Sequence, residues 1–350
     1  MRPDHRQMAD HSGQLQAWLN RIWYGQSRWY LLLLPLSWLY RTVIALRRQL
    51  YRHGMLHEQR VAVPVIVIGN ITVGGTGKTP LTMWLAEQLQ QHGYQPGVVT
   101  RGYGAQVGPQ PLLVSADSDP AAVGDEALVL ANRLSCPVVA HPDRVAAANA
   151  VVALGADVVI ADDGLQHYRL GRDFELAVVD GERGFGNKQH LPAGPLREPI
   201  SRLDAVANVL VQQGQDAGKV LRRKGDPAEL HFRLVPTGLH SLHSDEVVDP
   251  HSLAGQTVHA LAGIANPQRF FRMLRAWGLQ VIEHPLPDHA PISQLDLTFD
   301  DNLPVIMTEK DAVKCRQLHT DRCWYVAVAV EFDNGQAHSL LEQLHSRLDH

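Results

Sequence analysis

VAVPVIVIGNITVGGTGKTPLTMWLAE (Val61–Glu87) reads as a buried strand, a glycine-rich turn and a helix. The run VPVIVIG is continuously apolar, the pattern of a strand covered on both faces in a parallel sheet. Glycines at Gly74, Gly75 and Gly77 let successive backbone N–H groups curl round phosphate oxygens, and a helix N-terminus adds positive dipole. Lys78 supplies a point charge and the Thr79 hydroxyl can hold Mg²⁺. The strict pattern G-x-x-x-x-G-K-[ST] is not met, because its first position falls on Thr72. The context is nonetheless that of a phosphate loop: LTMWLAEQLQQHG carries apolar residues at helical spacing and stops on a glycine. Thr72, Val73, Gly74, Gly75, Thr76, Gly77, Lys78 and Thr79 are therefore expected to hold a nucleoside triphosphate.

Beyond the loop, apolar strands alternate with helical stretches, which implies an α/β fold with a parallel sheet and helices on both faces. Strands are expected at Val61–Ile68, Gly97–Thr100, Val138–Ala140, Val158–Ala161 and Ala177–Asp180, and helices at Leu81–His92, Asp125–Leu134 and Arg144–Leu154. The polar stretch Gln212–Pro227 reads as a connection to a second, smaller α/β domain. There, strands are expected at Glu229–Pro236, Thr257–Gly263, Val305–Met307 and Trp324–Val328, with a helix at Pro267–Trp277. The domain reading is thus 1–52, 53–228 and 229–350, and 350 residues with 45% hydrophobic content suffice for two cores.

In ADVVIADDGLQH, the strand Val158–Ala161 delivers Asp162 and Asp163 at its C-terminal end, where a phosphate-loop protein needs a carboxylate for Mg²⁺. Adjacent carboxylates on extended chain point in alternate directions, so one is expected to meet the metal and the other a water or the attacking group. Arg101-Gly102-Tyr103-Gly104, Gly124-Asp125-Glu126, Asp143-Arg144 and Asp288-His289 gain interest only in combination; singly they read as caps, turns or surface charge.

A net charge of −4 in a mixed sequence indicates no general nucleic-acid surface. Three cysteines without C-x-x-C spacing favour a reducing compartment, and the nineteen histidines include no H-E-x-x-H pair, so no zinc site is expected. Near the N-terminus, WYLLLLPLSWLY (Trp29–Tyr40) is uncharged and apolar between flanking arginines. As a helix it reaches about 18 Å, short of the roughly 30 Å hydrocarbon layer. The segment is expected to lie in a membrane interface, with Trp23, Tyr24, Trp29, Trp38 and Tyr40 at headgroup depth. The other reading is an amphipathic helix packed on the protein's own domain.

Taken in order, GN-x-x-x-GGTGKT, RGYG, GDE, HPDR, ADDGLQH, GN-x-x-x-LPAGPLRE, PDH and TEKDAVK resemble the tetraacyldisaccharide 4'-kinase family, from about Arg21 to Val330. Thr72 in the first loop position is part of that pattern. The resemblance implies transfer of the ATP γ-phosphoryl group to the 4'-hydroxyl of a tetraacylated glucosamine disaccharide 1-phosphate, giving lipid IVA at the cytoplasmic face of the bacterial inner membrane. It implies Lys78 and Thr79 at the phosphates and Mg²⁺, Asp162 as metal carboxylate, and Asp125 as general base with His289 orienting it. Asp163, Gln166, His167, Arg144 and Glu198 are implied to be near the reacting groups, and Arg101 and Tyr103 to line the acceptor site. Two α/β domains joined by a strand-like linker, closing on substrate, are also implied. The partners expected are the lipid A disaccharide precursor and the membrane surface, with no nucleic acid and no obligate protein partner.

A membrane-associated regulatory ATPase or a GTPase is the competing reading. The partitioning ATPases carry Lys before their paired glycines, where this chain has Val73, and a GTPase needs N-K-x-D, whereas Asn187-Lys188-Gln189-His190 lacks the acid.

Overall fold

A computed structural model describes residues 18–25, 27–103, 108–214, 229–318, 322–333 and 335–348. Gly104 and residues 215–228 of the expected connection lie outside the described residues. After a helical turn at 18–24, α1 (Tyr30–Arg52) precedes β1 (Val65–Gly69), α2 (Lys78–Gln91), β2 (Pro96–Thr100), β3 (Leu112–Val114), α3 (Pro120–Val123) and α4 (Asp125–Arg133). Then come β4 (Val138–Ala140), α5 (Arg144–Ala153), β5 (Val158–Ala161), β6 (Phe174–Asp180), β7 (Asn208–Gln212), β8 (Glu229–Ser241) and β9 (Val247–Val248). The chain continues through β10 (Thr257–Ala262), α6 (Pro267–Ala276), β11 (Gln280–Pro285), β12 (Val305–Thr308), α7 (Glu309–Cys315), β13 (Cys323–Phe332) and α8 (Gln336–Leu348).

One sheet runs in the order β11-β10-β12-β13-β8-β7-β6-β1-β5-β2-β4-β3. From β4 to β8 every neighbouring pair is parallel, as are the pairs among β13, β12, β10 and β11. The two parallel sets meet where β8 runs antiparallel to β13, with a register shift between Ala327 and Val328. This is the α/β architecture with a phosphate-loop sheet that the strand–turn–helix opening implies. Successive residues of β1 serve opposite cores: Ile66 and Ile68 face the cluster with Leu81, Leu85 and Leu128, while Val65 and Val67 face the one with Val145, Val151 and Leu165. That alternation of side chains is why the strand is apolar throughout. Glu229 opens β8, which pairs with both β7 and β13; Phe232, Val313, Leu340 and Leu344 help fill the first cluster, while Val258, Phe271, Ile306 and Val326 belong to a separate one.

Several boundaries differ from the sequence reading for local reasons. Pairing in β1 starts at Val65, since Pro64 has no N–H to donate. Helix α2 begins at Lys78 rather than Leu81, because Gly77 takes the left-handed conformation (φ 82°) at its N-cap and Pro80 is tolerated in the first turn. Gln212 ends strand β7 and so lies inside the sheet. Helix α1 is longer than its apolar run, and no helix among the described residues is long and apolar enough to cross a membrane. Ser37 donates to the His190 carbonyl (2.8 Å), Tyr40 to that of Arg197 (3.2 Å), and the Arg47 guanidinium lies over Tyr168. Its other face exposes Trp29, Leu32, Leu36, Trp38, Leu39, Val43 and Leu46. Trp23, Tyr24 and Tyr40 are not on that face: Trp23 is buried and donates to the Pro192 carbonyl, Tyr24 packs beneath Arg183, and Tyr40 is half-buried on the inward side.

Candidate active site

Segments that follow strands of both parallel sets meet: Arg183 reaches Ala265, His289 reaches Asp125, and Lys310 reaches Glu126. From β1 the chain enters residues 70–77, where Thr72 bridges to Leu196, the Val73 N–H donates to the Pro195 carbonyl, and Asn70 donates to Thr76 Oγ1 at 3.2 Å. Asn70 thereby pins the turn that Gly74, Gly75 and Gly77 shape. A methyl group built on Gly74 would lie 3.8 Å from Ala265 Cβ, so the loop after β10 reaches the phosphate loop. Arg183 donates to the Ala265 carbonyl and fixes that approach.

Lys78 and Thr79 open α2 and face the two aspartates that follow β5. Asp162 accepts from Thr82 Oγ1 at 3.0 Å and from Thr79 Oγ1 at 3.4 Å. Burial, then the charge of Glu126, push its carboxyl up to about 6 against the pull of Lys78. Asp163 stands in the left-handed region (φ 49°), which directs it to Lys78 (3.5 Å) and Arg197 (3.0 Å). Burial opposes its charge, but those two cations hold its carboxyl far below the usual aspartate range. The neighbouring carboxylates are thus electrostatically distinct: one strained toward protonation by burial, one firmly ionised.

Arg144 is buried and donates to the backbone carbonyls of Asp162 (3.0 Å) and His141 (3.2 Å), tying the ends of β4 and β5 together. Gln166 donates to the Asn70 carbonyl (2.9 Å) and to Glu198 (3.1 Å). Glu198 is wholly buried, and its other oxygen accepts from Tyr168 and faces the Arg202 guanidinium at 3.4 Å, so it supports Gln166 from within. Burial and the charges of Arg144 and Arg101 lower the His167 imidazole to about 4. Arg101 is exposed after β2, and Tyr103 packs its ring on His289 at 4.8 Å between centroids.

Asp125 begins α4 at the positive end of the helix. Gly124 is required before it: φ is 87°, and a side chain would sit 2.8 Å from the Tyr103 carbonyl oxygen. His289 Nδ1 lies 2.9 Å from Asp125 Oδ1 and 3.0 Å from Oδ2; His289 is itself left-handed (φ 62°). Burial would raise the Asp125 carboxyl, but the His289 hydrogen bond and the charges of Lys310 and Lys314 reverse this and hold it at about 2. Lys314 in turn rests on Asp311, which accepts from the Gly263 N–H and Thr308 Oγ1.

The structure thus gathers Lys78, Thr79, Asp162 and Asp163 on one side and Asp125, His289 and Tyr103 on the other, with Arg144, Gln166, His167 and Glu198 around the first group. Asn70, Thr82, Arg197, Lys310 and Lys314 complete the site, although the sequence reading assigned them no role. Asn70 and Arg197 stand inside the quoted motifs GN-x-x-x-GGTGKT and LPAGPLRE, and both lysines in TEKDAVK. Those motif memberships were the available signal. Among the described residues no group of three or more His, Cys, Asp or Glu is arranged to hold a metal. Mg²⁺ carried with a nucleotide needs only one or two protein oxygens, and the adjacent Thr79 hydroxyl and Asp162 carboxylate fit that requirement.

The profile of tetraacyldisaccharide-1-P 4'-kinases (LpxK) matches residues 29–348. The tetraacyldisaccharide 4'-kinase of Alkalilimnicola ehrlichii is 49% identical over 315 residues, covering 89% of this chain and 92% of the relative. That of Nitrosococcus oceani is 46% identical and covers 96% of both chains. The solved structure of LpxK from Aquifex aeolicus in complex with ATP superposes with a TM-score of 0.76 at 28% identity, over 91% of this chain and 99% of that one. None of these relatives supports the regulatory ATPase or GTPase reading. With a family profile matching residues 29–348 and relatives 46–49% identical that cover 89–96% of it, the chain belongs to the tetraacyldisaccharide 4'-kinase family.

Proposed function

We propose that Asp125 accepts the hydroxyl proton when this ATP-dependent kinase of lipid A biosynthesis phosphorylates the 4'-position of tetraacyldisaccharide 1-phosphate. The observation that carries this role is the buried, ionised Asp125 gripped by His289. Both oxygens lie within reach of His289 Nδ1, but Oδ1 also accepts the Glu126 N–H at 2.9 Å, whereas the other neighbours of Oδ2, Lys314 at 3.6 Å and Lys310 at 4.0 Å, are beyond hydrogen-bond length. Oδ2, the less occupied of the two, is the oxygen that meets the substrate hydroxyl. As the acceptor oxygen bonds to the γ-phosphorus and the bond to the ADP oxygen breaks, the hydroxyl proton passes to Oδ2 and ADP leaves. A carboxyl near 2 is a weak base, but phosphoryl transfer has a loose transition state in which the hydroxyl gives up its proton late, so orientation counts for more than basicity.

Lys78 and the N–H groups of residues 74–79 bind the phosphates. Mg²⁺ held by Thr79 and Asp162 would neutralise charge on the β- and γ-phosphate oxygens. Asp163, pinned by Lys78 and Arg197, keeps Lys78 aimed along the cleft. Tyr103 and Arg101, both exposed, would receive the sugar. The exposed apolar face of α1, rimmed by arginines, lies on the cytoplasmic surface of the inner membrane and brings the cleft to a lipid substrate. The two-lobed organisation about 228/229 belongs to the same reading, supported by the separate core around Val258, Phe271 and Ile306.

Titration of MgATP beside turnover measurements tests the roles. Asp125→Ala is expected to keep nucleotide affinity and lose on the order of 10² or more in turnover. Lys78→Ala is expected to lose both. Near-normal turnover by Asp125→Ala removes the proposed base.

A further inference from the structure

Lys310, on α7, reaches the Asp125–His289 pair from behind. Its Nζ lies 3.1 Å from His289 Nε2, 2.9 Å from Asp288 Oδ1, 3.3 Å from Glu126 Oε1 and 4.0 Å from Asp125 Oδ2. An ammonium has three donors and no acceptor. The contact to Nε2 can therefore be a hydrogen bond only if Nε2 is bare, and the ring proton then sits on Nδ1, where it is donated to Asp125.

We propose that Lys310 is a positioning residue that locks His289 in the neutral Nδ1–H form, so that His289 orients Asp125 and is itself barred from acting as the base. This rests on Asp125 being the proton acceptor and adds what decides between the two members of the pair. In an aspartate–histidine pair the imidazole commonly takes the substrate proton on its far nitrogen. Here the far nitrogen is occupied by a cation, and the acceptor with the most room for a further hydrogen bond is Asp125 Oδ2, which shares the His289 Nδ1–H with Oδ1 and takes no backbone N–H.

The charges round the ring support the assignment. Asp125 and Glu126 come from α4, Asp288 from the loop after β11, and Lys310 and Lys314 from α7; Tyr103 covers the ring face. Burial disfavours the Lys310 charge, but Glu126, Asp125 and Asp288 outweigh it and hold the ammonium above the ordinary lysine range. Lys310 thus stays a donor at every working pH. Because Glu126 and Asp125 belong to one strand set and Asp288, His289 and Lys310 to the other, the same ammonium joins the two walls of the cleft.

The test compares the full-length protein with Lys310→Met, which keeps length but cannot donate, and Lys310→Arg, which restores a donor. Ring-nitrogen NMR of ¹⁵N-histidine-labelled protein, with His289→Gln to assign the signals, reads the tautomer without substrate. Wild type should show a protonated Nδ1 and a bare Nε2, and Lys310→Met should show a protonated Nε2. Turnover of Lys310→Met should fall on the order of 10-fold to 10²-fold with the KM for ATP unchanged, and should gain a loss of activity on acidification through the histidine range. Lys310→Arg should recover the wild-type spectrum and most of the turnover. A protonated Nε2 in wild type, or a Lys310→Met protein whose His289 signals and pH profile are unchanged, overturns the proposal. Should Asp125→Asn remain active while Lys310→Met shifts the tautomer as described, the base assignment fails and the Lys310 hydrogen bond stands.

Discussion

Asp125→Asn separates the electrostatic contribution of this carboxylate from its chemistry. The side chain is 6% exposed, and its carboxyl sits at about 2, where an unperturbed aspartate sits at 3.8. At about 1.4 kcal/mol per tenfold change in proton affinity, ionised Asp125 stabilises the fold by roughly 2 kcal/mol through His289, Lys310 and Lys314. A carboxyl depressed on folding contributes stability above its unfolded value and loses it as pH falls through the folded one. The difference between wild type and Asp125→Asn should therefore be flat from pH 8 to 5 and shrink from about pH 4 toward 2. Urea unfolding followed by circular dichroism at several pH values reads it. Asparagine keeps the size and one acceptor oxygen, so no cavity confuses the comparison. Turnover of the same variant should fall by on the order of 10² to 10⁴, far more than a 2 kcal/mol loss of fold stability could produce in a protein that remains folded. A variant as stable as wild type at pH 7 would refute the view that the cations around Asp125 outweigh its burial.

Three other outcomes are expected. Lys78→Ala should lower turnover by on the order of 10² or more with an unchanged circular dichroism spectrum, and an active variant would take the phosphate loop out of the reaction. Gly124→Ala forces a side chain against the Tyr103 carbonyl at φ 87° and should destabilise the protein by about 1–3 kcal/mol in chemical denaturation; a neutral effect would mean that the turn before α4 relaxes. Leu32→Glu with Leu39→Glu on the outward face of α1 should cut binding to anionic vesicles by on the order of 10²-fold while leaving the melting temperature unchanged. Undiminished vesicle binding would move the membrane contact elsewhere.

The phosphate loop was legible because its chemistry is local: a strand, three glycines, a lysine and a threonine must follow one another in sequence. Asp162 and Asp163 were legible for the same reason, as carboxylates at the end of an apolar strand. Their difference was not, since it arises from Glu126, Lys78 and Arg197 arriving from other elements. Asp125 and His289 are 164 residues apart and were paired only through the family resemblance. Lys310 meets Glu126 across 184 residues, and its string TEKDAVK reads locally as an ordinary polar helix start. The aromatic belt was partly misread because counting apolar residues near arginines does not reveal which way a ring faces. Trp23 and Tyr24 precede the helix and turn inward, whereas Trp29 and Trp38 turn outward. Edges of elements were set by features that hydrophobic periodicity ignores, such as Pro64 before β1 and left-handed Gly77 before α2.

The most direct test of the central claim is transfer of radiolabel from γ-labelled ATP, with Mg²⁺, to detergent-dispersed tetraacyldisaccharide 1-phosphate. The account predicts label on the lipid at the 4'-position, with transfer lost in Asp125→Ala although that variant still binds ATP. ATP hydrolysis by the folded wild-type protein with no label on the lipid would contradict it.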